Sequence, residues 1–194
     1  MMPARSWRTG LGALALAAGV LGFGPDGALP GAGPGTASAQ TRAADGPREK
    51  IVILARHAEK EDDGDDPALS EAGQARARAL AHALSRLRVD AIYTSQFRRT
   101  RLTAGPLAEA SGVVPEVVDA RDMPALLERI RSDEATTIVV VGHSNTVPAI
   151  ASALGAGEVP AIPEEGYDDL LVVRLPADGG ATLLSLKYGA PTPY

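Results

Sequence analysis

The sequence predicts an α/β fold, a three-layer α/β/α sandwich with a mostly parallel central sheet. Short, continuous apolar runs recur along the chain, as expected of strands that are buried on both faces. Helix-like segments separate these runs, and this alternation is typical of parallel sheets covered by helices. Apolar residues make up 45% of the 194 residues, which is enough to form a core on both sides of the sheet.

The predicted elements begin at a first strand over residues 51–54. A helix over residues 70–88 follows, with Ser70 as its N-cap. We expect Leu80, Leu84 and Leu87 on its buried stripe and Arg76 away from it. The later elements are strands at 91–93, 113–118, 137–141, 170–175 and 181–186, and helices at 99–110, 124–131 and 148–154. Pro115 interrupts the 113–118 strand, which suggests an edge position.

The N-terminal segment has the pattern of a signal peptide. Arg5 and Arg8 precede an apolar run over residues 11–20, which is too short to span a bilayer, and a small-residue cleavage pattern ends at Ala39. We therefore expect residues 1–39 to be a signal peptide, residues 40–49 a flexible segment and residues 50–194 the folded domain. The mature protein is expected to be periplasmic or secreted, without stable insertion into the membrane.

Composition excludes several function classes. The formal net charge of −5 provides no cationic excess for binding a nucleic-acid backbone. The chain has no cysteine, so disulfides, thiolate metal sites and cysteine nucleophiles are excluded. Any basic site must therefore be local.

The residues directly after the predicted strands suggest where the chemistry lies, because ligands bind at the carboxyl ends of strands in such sheets. Arg56 and His57 follow the first strand, and His143 follows the strand at 137–141. More arginines, among them Arg99, come soon after the second strand. His57, Glu59 and His143 could in principle bind zinc, but a guanidinium beside His57 suits an anion better than a cation. This set of side chains instead matches a phosphoryl group.

Four motifs in a fixed order carry a resemblance to a known family. The chain resembles the histidine phosphatase superfamily, which includes the phosphoglycerate mutases, over roughly residues 50–190. The motifs are Arg56-His57-Ala58, Leu69-Ser70-x-x-Gly73, Ser95-x-x-x-Arg99-x-x-x-Thr103-Ala104 and Gly142-His143-Ser144. The resemblance implies a phosphoglycerate mutase-like fold and a reaction that needs neither a metal nor another cofactor. The small bacterial phosphatases are the branch that the sequence resembles most.

The resemblance also implies roles for individual residues. His57 matches the nucleophile that becomes phosphohistidine, while Arg56, Arg99 and His143 match the residues that bind the phosphate oxygens. Asn145 is a further candidate for binding phosphate or for capping the helix that follows.

A general acid must protonate the leaving group, and the sequence leaves its identity open. Asp122 is the candidate because it lies 23 residues after Arg99, the distance that the resemblance implies; the alternative is that Asp122 caps the next helix. Asp119 and Glu59 are weaker candidates. The acidic run 59–66 lacks the spaced ligands of a calcium loop and is interpreted as a solvated loop beside the site.

These observations predict a phosphatase that acts on phosphorylated small molecules. A phosphoglycerate mutase-like phosphotransferase is the close alternative, but the insertions that enclose a bisphosphorylated intermediate are not evident. A protein-phosphohistidine phosphatase is a third candidate, and a phospho-ligand-binding module without turnover is a fourth.

Overall fold

A computed structural model describes residues 48–193 of the chain. The predicted signal peptide and residues 40–47 lie outside the described residues. In chain order the elements are β1 (Lys50–Arg56), α1 (Glu71–Ala83), β2 (Ala91–Thr94), α2 (Arg98–Ser111), β3 (Glu116–Val117), α3 (Met123–Ser132), β4 (Thr137–Gly142), α4 (Thr146–Ala151), β5 (Asp169–Leu175) and β6 (Thr182–Lys187). A π-helical turn over Ser152–Ala156 continues α4.

The six strands form one sheet in the order β3-β2-β4-β1-β5-β6. The first four strands in this order are parallel, whereas β5 and β6 are antiparallel. In the register of the sheet Arg56 pairs with Gly142, and Thr94 pairs with Val141. The carboxyl ends of β1, β2 and β4 therefore meet at one edge, as the sequence predicts.

The sheet is covered on both faces, which confirms the three-layer sandwich. Alternate residues of β1 point to opposite sides, as the pleat of a strand requires. Val52 and Leu54 pack in the core that contains the side chains of α3 and α4, such as Ile130 and Val147. On the other face Ile53 and Ala55 share a core with Leu80 of α1, with Leu84 directly after α1, and with Ala104 and Leu107 of α2.

Helix α1 begins as predicted but ends earlier. Ser70 caps it, since its side-chain oxygen accepts a hydrogen bond from Gly73 N at 3.1 Å. The helix ends at Ala83 and not at residue 88, because the chain turns there to bring the buried Val89 back toward the sheet. Leu87 is consequently 46% exposed, so its predicted place on the buried stripe is wrong.

Arg76 is the second correction to α1. The sequence places it away from the buried stripe, yet it is only 4% exposed. Its guanidinium donates to both carboxylate oxygens of Glu59 at 2.8–3.0 Å, and also to the backbone carbonyls of Tyr188 and Ala190. Paired and hydrogen-bonded in this way, a charged side chain can be buried. Arg76 thus joins the loop after β1 to the C-terminal segment.

The remaining elements are shifted by a few residues from their predicted bounds. The 113–118 strand is reduced to Glu116–Val117, at the predicted edge of the sheet. Helix α2 ends at Gly112, whose φ of +73° is the left-handed conformation that glycine adopts readily. Along residues 48–193 none of the helices combines the length and the apolar character that a membrane crossing requires.

Candidate active site

Sheet pairing brings the two predicted site histidines together. His57 N donates to Gly142 O at 2.9 Å, so the chain after β1 lies beside the chain after β4. The rings of His57 and His143 face each other edge to face, with 5.4 Å between their centroids. A third strand end supplies Ser95, whose Oγ is 3.1 Å from His143 Nε2.

The hydrogen bonds of His57 fix which ring nitrogen is available for reaction. Its Nδ1 lies 2.8 Å from the backbone oxygen of Ala58. A carbonyl oxygen can only accept, so Nδ1 carries the proton and Nε2 retains its lone pair. Ala58 N in turn donates to Thr103 Oγ1 at 2.9 Å, and Thr103 Oγ1 donates to Arg99 O at 2.7 Å. Helix α2 thereby fixes the position of the histidine backbone.

Both histidines are held in their neutral form. Burial is the main reason why the pKa of His57 falls to about 3, and the nearby charge of Arg56 adds to this effect. Burial likewise lowers the pKa of His143 to about 4, with Arg99 and Arg56 as the next contributions. A neutral imidazole keeps the lone pair that nucleophilic attack requires.

Arg56 is anchored through its terminal nitrogens. The side chain is 2% exposed, and Nη1 donates to the backbone oxygens of Pro163, Glu164 and Gly166 at 2.6–3.0 Å. Nη2 donates to the carboxylate of Glu164 at 2.9 Å. The ring of Tyr167 covers the guanidinium, 4.2 Å from its central carbon. The loop over residues 163–167 therefore fixes Arg56 on two sides.

Two guanidinium donors at this site have no partner within residues 48–193. Nε of Arg56 and Nε of Arg99 are both buried and make no hydrogen bond there. The guanidinium of Arg99 packs 4.3 Å from the centre of the Phe97 ring, and burial lowers the pKa of Arg99. A buried donor without a partner is costly, and an anion bound between these arginines would satisfy both donors.

One cavity of about 550 Å³ unites these groups. Five of the six predicted site residues line it, namely Arg56, His57, Arg99, His143 and Asn145. The other lining residues are Lys60, Gly64, Asp65, Phe97, Ala120, Arg121, Ser144, Thr146 and Glu164. The acidic run thus contributes Asp65 to the rim, and the cavity floor is cationic.

The sixth predicted site residue, Asp122, lies elsewhere. Its Oδ1 accepts a hydrogen bond from Ala125 N at 3.1 Å, so it caps α3. It lines a separate cavity of about 30 Å³ that also reaches His143. Of the two weaker candidates for the acid, Asp119 pairs with Arg121, and Glu59 is engaged by Arg76.

The acidic run is organised by contacts with the protein itself. Asp66 Oδ1 accepts from Arg98 N at 2.7 Å, which caps the first turn of α2, and Asp63 pairs with Lys60 at 2.9 Å. In residues 48–193 no group of three histidine, aspartate or glutamate side chains is arranged to hold a metal ion.

Glu164 is the residue at this site that sequence reasoning missed. It lies in the loop between the π-helical turn and β5, where no hydrophobic period or motif indicates a position. Its contact with Arg56, 108 residues away along the chain, leaves no local signal in the sequence. Lys60 of the acidic run and Ser144 of the Gly142-His143-Ser144 motif also line the cavity without a predicted role.

A comparison with protein families matches residues 52–121 to the histidine phosphatase superfamily (branch 1). The matched segment includes Arg56, His57 and Arg99, three of the residues that line the cavity. The similarity to this superfamily covers 70 of the 194 residues. The match ends before His143, which the fold brings beside His57.

A curated protein is similar to part of this chain. Phosphoserine phosphatase 1 of Hydrogenobacter thermophilus is 45% identical over 69 residues. That segment is 32% of this chain and spans about a third of the relative, 33% of its length.

Solved structures show the same fold at low sequence identity. Mycobacterial hydrolase 1 has a TM-score of 0.61 and 18% identity, over 74% of this chain and 100% of its own. The protein histidine phosphatase SixA complexed with tungstate has a TM-score of 0.59 and 20% identity, over 71% and 96%. A mycobacterial glucosyl-3-phosphoglycerate phosphatase has a TM-score of 0.59 and 18% identity, over 74% and 100%. The chain therefore shares its α/β fold with these proteins.

Proposed function

We propose that this protein is a phosphatase that hydrolyses phosphomonoesters through a phosphohistidine intermediate on His57. The observation that carries this proposal is that Arg56 and Arg99, each with a buried Nε donor that has no partner among residues 48–193, line the same cavity as His57, whose Nε2 keeps its lone pair. Together they provide binding groups for an anion and a nucleophile beside it.

The proposed reaction has two steps. His57 Nε2 attacks the phosphorus in line with the leaving oxygen, so that an N–P bond forms as the P–O bond breaks. Water then attacks the phosphohistidine and releases inorganic phosphate. Arg56, Arg99 and His143 hold the three remaining phosphoryl oxygens during both steps, and the Asn145 amide adds a donor at the start of α4.

Metal independence is part of the proposal. Charge builds up on the equatorial oxygens of the phosphoryl group in the transition state, and positive groups must stabilise it. Arg56 and Arg99 supply two fixed positive charges within the cavity. We therefore expect turnover to persist in the presence of a chelator.

Turnover of p-nitrophenyl phosphate tests the proposal. Wild-type protein with chelator present should release p-nitrophenol and form an acid-labile, base-stable phosphoenzyme. His57→Ala should abolish both signals. The matched control is His82→Ala, because His82 is an exposed histidine of α1 away from the cavity. Undiminished turnover in His57→Ala would reject the mechanism, and ligand binding without a phosphoenzyme would identify a binding module instead.

We also propose a phosphorylated small molecule as the substrate and export as the location. The relative named for phosphoserine supports the first point, and the sequence pattern of residues 1–39 supports the second. The export proposal predicts a mature N-terminus at Gln40 in the periplasmic or secreted fraction, and N-terminal sequencing would reject it by finding the chain intact and retained in the cytoplasm.

A further inference from the structure

Glu164 places a carboxylate at the phosphate-binding arginine. Its Oε2 accepts from Arg56 Nη2 at 2.9 Å, and its Oε1 accepts from Ser144 Oγ at the same distance. The side chain is 79% exposed and lines the cavity that contains His57. The carboxylate therefore lies at the mouth of the site, where a leaving group has to depart.

The backbone below this exposed side chain is held firmly. Arg56 Nη1 binds three carbonyl oxygens of the loop, and Gly166 N donates to Pro163 O at 2.9 Å. Ile162 is buried on one side of the loop, and Asp168 is buried on the other. A reacting group on a fixed backbone loses little freedom when it is used, which favours catalysis.

We propose that Glu164 is the general acid of the reaction. The inference rests on the proposed function. Protonated Glu164 donates its proton to the leaving oxygen as the P–O bond breaks and the N–P bond to His57 forms. The resulting carboxylate then takes a proton from the attacking water as the N–P bond breaks, which restores the acid and releases inorganic phosphate.

Substrate binding supplies the conditions for protonation. In the free protein the Ser144 hydrogen bond and the charge of Arg56 lower the pKa of Glu164, so the carboxylate is ionised. A phosphate oxygen on Arg56 Nε lies next to the carboxylate on Nη2, because both nitrogens belong to one guanidinium. The like charges repel, and the dianion takes up part of the Arg56 charge, so binding favours the protonated form of Glu164.

Three neighbouring carboxylates are less suited to this role. The Asp122 carboxylate caps α3 and does not line the cavity of His57, whereas Glu59 is held by the buried Arg76. Asp65 does line the cavity, but it belongs to the acidic run on the rim. Glu164 alone combines a place in the cavity with a direct bond to Arg56 among the described carboxylates.

Glu164→Gln tests the inference, because glutamine is nearly isosteric and cannot donate the proton in the same way. A primary alkyl phosphate has a poor leaving group and needs the acid, whereas p-nitrophenyl phosphate needs it little. We expect kcat/KM to fall about 100-fold or more for the alkyl phosphate, within the range of general acid catalysis, and less than about 10-fold for p-nitrophenyl phosphate. The ratio kcat/KM reports phosphoryl transfer to His57 and not the later hydrolysis, so the comparison isolates the first step.

Glu165→Gln is the matched control, because Glu165 is the exposed neighbouring carboxylate and lines a different groove. It should leave both substrates within about twofold of wild type. Equal losses for the two substrates in Glu164→Gln would overturn the inference, and so would a leaving-group-dependent loss in Asp122→Asn. If either of these two outcomes is found while the wild type still forms the phosphoenzyme, the role of Glu164 is rejected and the proposed function stands. A wild type without phosphohistidine rejects the proposed function itself.

Discussion

Gly73→Ala tests whether the start of α1 sets the position of the loop that follows His57. A Cβ at residue 73 would lie 2.2 Å from Glu59 O and 3.0 Å from Glu59 N. Both atoms belong to the backbone, so no side-chain rotation can relieve the contact. Helix α1 cannot move away from Glu59 freely either. Gly73 N donates a hydrogen bond to Ser70 Oγ, and Ser70 N donates one to Glu59 O at 3.0 Å.

The expected effect of Gly73→Ala is a loss of stability and of activity. Inserting a methyl group into a packed site costs typically about 1–3 kcal/mol, and the immobile contact at residue 73 places the variant in the upper half of that range. With a urea m-value of about 2 kcal/mol/M, the unfolding midpoint should fall by roughly 1 M. Because Glu59 lies two residues after His57, the proposed nucleophile, kcat/KM for p-nitrophenyl phosphate should also fall.

Gly105→Ala is the matched control for the change from glycine to alanine. A Cβ at residue 105 of α2 has no heavy atom outside its chain neighbours within 4 Å. Alanine favours the helix, but the following Pro106 restricts residue 105, so we expect stability within about 1 kcal/mol of wild type. If urea unfolding finds Gly73→Ala as stable as Gly105→Ala, the reasoning about the Glu59 contact is wrong.

Three further predictions concern the two neutral site histidines and the buried Arg76. The pH profile of kcat/KM, corrected for ionisation of the substrate, should have its acidic limb near pH 4 or below, because His57 and His143 have pKa values of about 3 and 4. An acidic limb near pH 6.5 would contradict this prediction. These pKa values lie below the usual histidine value, so the unfolded state binds more protons and stability should decline as the pH falls from about 6.5 toward 3. Arg76→Met should lower the free energy of unfolding in urea by about 2–4 kcal/mol, because it leaves the Glu59 carboxylate without its partner. The control Arg78→Met, on the exposed face of α1, should change it by less than about 0.5 kcal/mol. Equal effects of the two arginine substitutions would refute the role of the Arg76 ion pair.

The sequence predicts which residues meet at the candidate site because strand ends can be recognised locally. Continuous apolar runs identify β1 and β4, and the residues that end them, among them His57 and His143, must lie at one edge of a parallel sheet. This inference needs no knowledge of the loops. The fold class follows from the same runs and from the helices between them.

The contacts that the sequence does not reveal are those made between distant segments. Hydropathy assigns Arg76 to the exposed face of α1, whereas its burial depends on Glu59 and on carbonyls more than 100 residues further along the chain. The position of Glu164 depends similarly on three backbone oxygens that meet Arg56. Hydropathy patterns do not indicate hydrogen bonds from a side chain to distant backbone carbonyls, because every residue has the same backbone carbonyl.

The two terminal nitrogens of Arg56 bind different groups of the loop over residues 163–166, and this has a consequence for redesign of the loop. Nη1 donates hydrogen bonds only to main-chain oxygens of the 163–166 loop. The path and length of the loop are therefore constrained, whereas most of its side chains are not. A library that keeps Glu164 and the loop length but varies the other residues can change the groups offered to a substrate while the Nη1 hydrogen bonds stay in place. Insertions or deletions in the same loop would break the hydrogen bonds of Arg56 Nη1. Arg56→Lys would also lose them, because an ammonium lacks the planar set of donors of a guanidinium.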